Sequence, residues 1–159
     1  VVLQMASLLT LTYSQPTRTL AAGEVLISEG QKGGDLFVLE SGRLSVERGG
    51  VAIATVTEPG SLIGEMSILM ERPYSATVRA ERESQVRVVH DAIRYLERQP
   101  AVALHVASVL SHRLDATSAL VVDLTRNSQP NAEQKGLLDR IFTTIMTPLA
   151  SRRDTRAHE

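Results

Sequence analysis

Glycine punctuation is what most restricts how this chain can fold. All its glycines but Gly136 fall between Thr17 and Ala80, and they cut that stretch into short apolar runs. Leu36-Phe37-Val38-Leu39, Leu44-Ser45-Val46 and Val51-Ala52-Ile53-Ala54-Thr55-Val56 have strand length and composition. Gly49-Gly50 marks a hairpin, and Glu58-Pro59-Gly60 marks another turn. Several short strands at this spacing predict a sandwich or rolled barrel. Ser75–Arg79 and Gln85–His90 continue the strand register, the latter alternating Val86, Val88 and His90.

At Asp91 the period changes from strand to helix. Ala92, Ile93 and Leu96 recur at helical spacing, with Asp91 as N-cap and Pro100 as a break. From Ala101 to Arg126 there is no Gly or Pro, which predicts a long helix carrying an apolar stripe. Positions 102, 106, 109, 113, 116 and 120 trace a heptad-like seam interrupted by Arg113. The seam predicts pairing with a second copy; packing on the β body is the alternative. Asn127–Asn131 reads as a polar linker. Leu137, Leu138, Ile141, Phe142, Ile145 and Leu149 then mark a last amphipathic helix before a charged tail, Arg152–Glu159. The apolar opening, Val1–Leu11, lacks a basic flank and reads as a short helix rather than a signal peptide. The expected division is a domain over 1–126, then linker, helix and tail over 127–159.

Composition removes several function classes. With no cysteine, thiolate zinc sites, disulfides and cysteine nucleophiles are excluded. A net charge of −1 provides no global field for nucleic acid or a membrane surface. No apolar run reaches the roughly 18 residues of a membrane span. His90, His105, His112 and His158 lack metal-ligand spacing, and no nucleophile–base constellation is visible. The chain is therefore expected to be a cytoplasmic binding module without metal or cofactor, not an enzyme.

Two stretches carry a family resemblance. Leu26-Ile27-Ser28-Glu29-Gly30-Gln31-Lys32-Gly33-Gly34-Asp35-Leu36-Phe37-Val38-Leu39-Glu40-Ser41-Gly42 has glycines where β-roll corners need positive φ, and four apolar residues to fill a roll interior. Ile63-Gly64-Glu65-Met66-Ser67-Ile68, a short spacer, and Tyr74-Ser75-Ala76-Thr77-Val78-Arg79-Ala80 follow. Together they resemble the cyclic-nucleotide-binding domain family, which includes bacterial cAMP receptor proteins and kinase regulatory subunits. The resemblance covers Thr17 to Arg126. It implies an α+β fold: an antiparallel, jelly-roll-like β-roll with a short N-terminal helix, a phosphate-binding-cassette helix and long C-terminal helices.

The same resemblance assigns roles. Gly64, Glu65, Met66 and Ser67 would form the cassette helix, its amides facing a cyclic phosphate and Glu65 accepting from the ribose 2′-hydroxyl. Ser75 would donate to a phosphate oxygen, beside the Ala76 amide. Thr117 and Ser118, in Arg113-Leu114-Asp115-Ala116-Thr117-Ser118, would meet the adenine edge in a dimer. One position departs: the family's phosphate-binding arginine is Tyr74 here. Arg72 and Arg79 are the substitute cations the sequence offers. The implied function is a cAMP or cGMP sensor signalling through its C-terminal helices to an unidentified protein partner. The alternative is a ligand-independent dimerisation or protein-interaction module of the same fold. Only 33 residues follow Arg126 where a cAMP-receptor-type transcription factor continues into a DNA-binding domain, so direct DNA reading is not expected.

Overall fold

The structure is a computed structural model that describes residues 7–127 and 132–146. The linker core at 128–131, the first six residues and the charged tail lie outside the described residues. Two compact units emerge, residues 1–110 and 111–159.

In the first unit a helical turn, α1 (Leu8–Leu11), precedes six strands: β1 (Thr17–Leu20), β2 (Val25–Ile27), β3 (Leu36–Ser41), β4 (Leu44–Arg48), β5 (Val51–Val56) and β6 (Leu62–Ile63). A short helix, α2 (Glu65–Leu69), interrupts them before β7 (Thr77–Ala80) and β8 (Ser84–Val89). Then come α3 (Ala92–Arg98) and α4 (Pro100–Asn127), and α4 runs on into the second unit. The strands form two antiparallel four-stranded sheets, ordered β1-β8-β3-β6 and β2-β7-β4-β5. Consecutive strands are thus shared between the sheets, as in a roll. Gly49 and Gly50 form the β4–β5 turn, where Arg48 pairs with Val51.

Side chains on a strand alternate between faces, and on β3 that alternation defines two cores. Phe37 and Leu39 point into the roll with Leu20, Ile27, Leu44, Ile63, Val78 and Val86. Leu36 and Val38 face the other way, into a cluster with Leu8, Ile68, Val89, Leu96, Val102 and Val106. The expectation that all four residues fill the roll interior is therefore corrected: two fill it, and two bind the helices to its outside. Each such buried side chain contributes roughly 1.5–3 kcal/mol. Arg87 fastens α1 to the sheet, donating to the Leu9 and Thr12 carbonyls at 3.3 and 3.1 Å and pairing with Glu40.

The helical half departs from the sequence reading in two respects. Asp91 stands at the N-cap of α3, but it is left-handed (φ 46°) and makes no side-chain cap; its carboxylate lies 3.6 Å from Arg94. On α4, Val102 and Val106 are buried against the first unit's own outer cluster, so the start of the heptad-like seam is consumed within the chain. Leu114, Leu120 and Leu124 are exposed. The last helix, α5, is observed over Ala132–Met146. No helix among the described residues is long and apolar enough to cross a membrane.

Candidate functional site

The site is built where the chain leaves β6. Gly64 has φ +90°, a conformation that costs glycine little and other residues a good deal, and it turns the backbone into α2. That turn makes Glu65 the first helical residue and sinks it to 4% exposure; Ser67 and Ile68 are buried one turn on. Met66, between them, is 51% exposed. The helix ends at Met70, and Glu71 takes a left-handed conformation (φ 51°) that sends the chain back toward β7.

The returning strand is fixed by backbone bonds to the Gly30 corner. Tyr74 N–H donates to the Gln31 carbonyl at 3.0 Å, and Gly30 N–H donates to the Tyr74 carbonyl at 2.8 Å. The Tyr74 side chain does not reach outward like a cation awaiting an anion. Its ring belongs to the roll core, and its hydroxyl donates to the Asp35 carbonyl at 2.9 Å. The ring fits because residue 33 has no side chain: a Cβ on Gly33 would stand 2.2 Å from Tyr74 Cε2. A Cβ on Gly64 would stand 3.3 Å from Cε1 of the same ring. Burial raises the Tyr74 hydroxyl pKa above its ordinary value, so the group is neutral at physiological pH. The position that supplies a charge in the family's pattern here supplies a neutral ring pinned between the Gly33 corner and the Gly64 turn.

Ser75 and Ala76 are half-buried immediately after it. The Ser75 hydroxyl makes no hydrogen bond to any described residue, so it retains its donor and acceptor capacity. The substitute cations are placed elsewhere. Arg79 donates from Nη1 to the Gly23 carbonyl at 2.8 Å. Arg72 is exposed and lines a cleft with Lys32 and Ser67 rather than entering the roll core. Thr117 and Ser118 lie on α4 within the second unit. Thr117 is exposed and its hydroxyl donates to the Arg113 carbonyl at 2.8 Å, while Ser118 is half-buried. Sequence reasoning missed the part played by Gly33 and Asp35. The Gly33-Gly34 pair was legible as a corner, but nothing local shows that the corner makes room for an aromatic ring 41 residues downstream.

Comparisons with known proteins agree with this geometry. The cyclic nucleotide-binding domain family matches residues 17–92, the span from β1 to the start of α3. The CRP-like cAMP-activated global transcriptional regulator of Mycobacterium tuberculosis is 28% identical over 124 residues, which are 73% of this chain and 54% of that protein. An uncharacterised ABC transporter ATP-binding protein of the same species is 33% identical over 106 residues, 63% of this chain and 31% of that protein. The chain thus spans between about a third and about half of the length of these curated relatives. Among solved structures, the Thermus thermophilus catabolite activator protein superposes with a TM-score of 0.61 at 29% identity, covering 72% of this chain and 56% of that one. The N-terminal domain of a transcriptional regulator from Streptomyces coelicolor superposes with a TM-score of 0.53 at 30% identity, covering 68% of this chain and 81% of that one. With two sheets rolled around one core and a glycine-led helix between β6 and β7, the chain belongs to the cyclic nucleotide-binding domain family.

Proposed function

We propose that this chain is a regulatory domain that binds a cyclic nucleotide, cAMP or cGMP, without a cationic phosphate clamp, and so binds it weakly. The observation that carries the reading is the half-buried Ser75 hydroxyl, without a hydrogen-bond partner among the described residues and following a helix that opens with the Gly64 turn and the buried Glu65. In this reading Ser75, the Ala76 amide and the amides from Gly64 to Ser67 hold the phosphate, and Glu65 holds the ribose. Thr117 and Ser118 would reach the base in a homodimer formed through α4, whose exposed leucines supply the surface.

The output runs through packing. Ile68 of the cassette helix shares one buried cluster with Leu96 of α3 and with Val102 and Val106 of α4. A nucleotide that shifts α2 must therefore repack both helices, and tighter binding to one arrangement shifts the population toward it. The helices would pass that change to a protein partner.

One observation favours a second reading. The Tyr74 hydroxyl is already satisfied by the Asp35 carbonyl and its ring fills space against Gly64. If that ring closes the phosphate site, the domain is a ligand-independent interaction module. Calorimetric titration of cAMP and cGMP into the wild type and a Tyr74→Arg variant separates the readings. Saturable wild-type binding that tightens about 10- to 150-fold in the variant supports the weak sensor, since a charge-assisted bond contributes roughly 1.5–3 kcal/mol. Binding in the variant alone supports the interaction module. Heat in neither would sink the assignment of the cassette.

A further inference from the structure

A cleft of about 290 Å³ lies on the cassette's other flank, between the Gly33-Gly34 corner, the end of α2 and Ile93 of α3. Its wall combines groups that share a preference for an anion. Lys32 and Arg72 both line it, and neither side chain has a carboxylate partner or hydrogen bond among the described residues. Ser67 contributes to the wall at 6% exposure, and its hydroxyl has no hydrogen-bond partner among the described residues. That hydroxyl is not sealed from solvent, so it is free to turn to an occupant of the cleft. The Gly33 and Gly34 amides donate to no described residue either, and at Gly34 a Cβ would meet nothing within 4 Å, so that side of the corner is open. The remaining surface, from Ile68, Pro73 and Ile93, is apolar.

We propose that this cleft binds a small organophosphate. Lys32, Arg72 and Ser67, with the two glycine amides, take the phosphate, while Ile68, Pro73 and Ile93 cover its organic part. Arg72 thus serves an anion, as the sequence suggested, but at a site outside the roll core. Glu71 also lines the cleft and opposes the two cations, so binding depends on direct contacts rather than on a broad positive field. The backbone of Glu71, held left-handed, fixes the turn that brings Arg72 to the cleft. An occupant would touch Gly33, Ile68 and Ile93 together, and so would bear on the Tyr74 ring and on the helices from outside the nucleotide site.

Phenyl phosphate is the probe, followed by amide chemical shifts in the isotope-labelled chain, with inorganic phosphate for comparison. The expected result is saturable shifts centred on Gly33, Gly34 and Ser67, with inorganic phosphate acting on the same amides more weakly. A Lys32→Gln/Arg72→Gln double variant, whose changes are exposed and leave the fold intact, weakens binding at least about tenfold. Glu71→Gln tightens it. The proposal is overturned if the shifts centre on Glu65 and Ala76, if sodium chloride at equal ionic strength reproduces them, or if the double variant binds as well as the wild type. None of these outcomes depends on cyclic nucleotide binding, so the two assignments fail separately.

Discussion

Replacing Gly33 with alanine is the sharpest test of how this site is closed. The added methyl would lie 2.2 Å from Cε2, 2.3 Å from Cζ and 2.3 Å from Oη of Tyr74, far inside van der Waals contact. Gly33 is not among the glycines with positive φ, so its backbone accepts alanine and the whole cost falls on the ring. Overpacking a core costs about 1–3 kcal/mol. Moving the hydroxyl off the Asp35 carbonyl forfeits about 1 kcal/mol more. The sum, roughly 2–4 kcal/mol, lowers a urea midpoint by roughly 1–2 M. The decisive measurement is a double-mutant cycle with Tyr74→Ser. Once the ring is gone the methyl has space, and Gly33→Ala becomes neutral or stabilises by about 0.4–1 kcal/mol through the unfolded chain. The expected coupling is at least about 1.5 kcal/mol. A Gly33→Ala variant within about 0.5 kcal/mol of wild type would refute the reasoning. So would an equal loss in both backgrounds, since the methyl would then be clashing with something other than Tyr74.

Three further outcomes follow from the same contacts. Burial raises the pKa of Tyr74 in the fold, so its contribution to stability is full below the unfolded value near 10 and is lost as pH rises through the folded value. Urea midpoints measured from pH 9 to pH 11 should fall, and the fall should be smaller in Tyr74→Phe, with the similarly raised Tyr95 supplying the remainder. Arg87→Ala frees the Leu9 and Thr12 carbonyls and leaves Glu40 unpaired, which costs about 2–4 kcal/mol and should remove hydrogen-exchange protection from the Leu11 and Thr12 amides first. Glu65→Gln should weaken cAMP binding in the Tyr74→Arg background about tenfold, by calorimetry, because a charged acceptor for a ribose hydroxyl becomes a neutral one; unchanged affinity would remove Glu65 from the site.

Much of this protein was legible before any coordinates. The glycine spacing between Thr17 and Ala80 specified short strands and tight corners, because positive φ is cheap only there. The loss of glycine and proline after Pro100 specified a long helix, observed as α4. The order Gly64-Glu65, then Ser75-Ala76, marked a turn into a short helix and the start of a returning strand, observed as α2 and β7. These are local properties, and local sequence carries them.

What local sequence did not carry was the assignment of each apolar or charged side chain to one of two faces. Leu36-Phe37-Val38-Leu39 reads as a uniformly buried run, and only the second cluster, assembled from α1, α2, α3 and α4, shows that alternate residues serve different cores. The seam of α4 shows the same limit, for Val102 and Val106 satisfy a heptad pattern and an intrachain core equally well. Tyr74 is the clearest case. The sequence showed that the phosphate-binding arginine is missing, while the tertiary structure decided what stands in its place. It is a ring held by a carbonyl at Asp35 and by the missing Cβ of Gly33, contacts 39 and 41 residues away along the chain. Spacing along a chain encodes the backbone path, whereas packing depends on which distant groups that path brings within a few ångströms of one another.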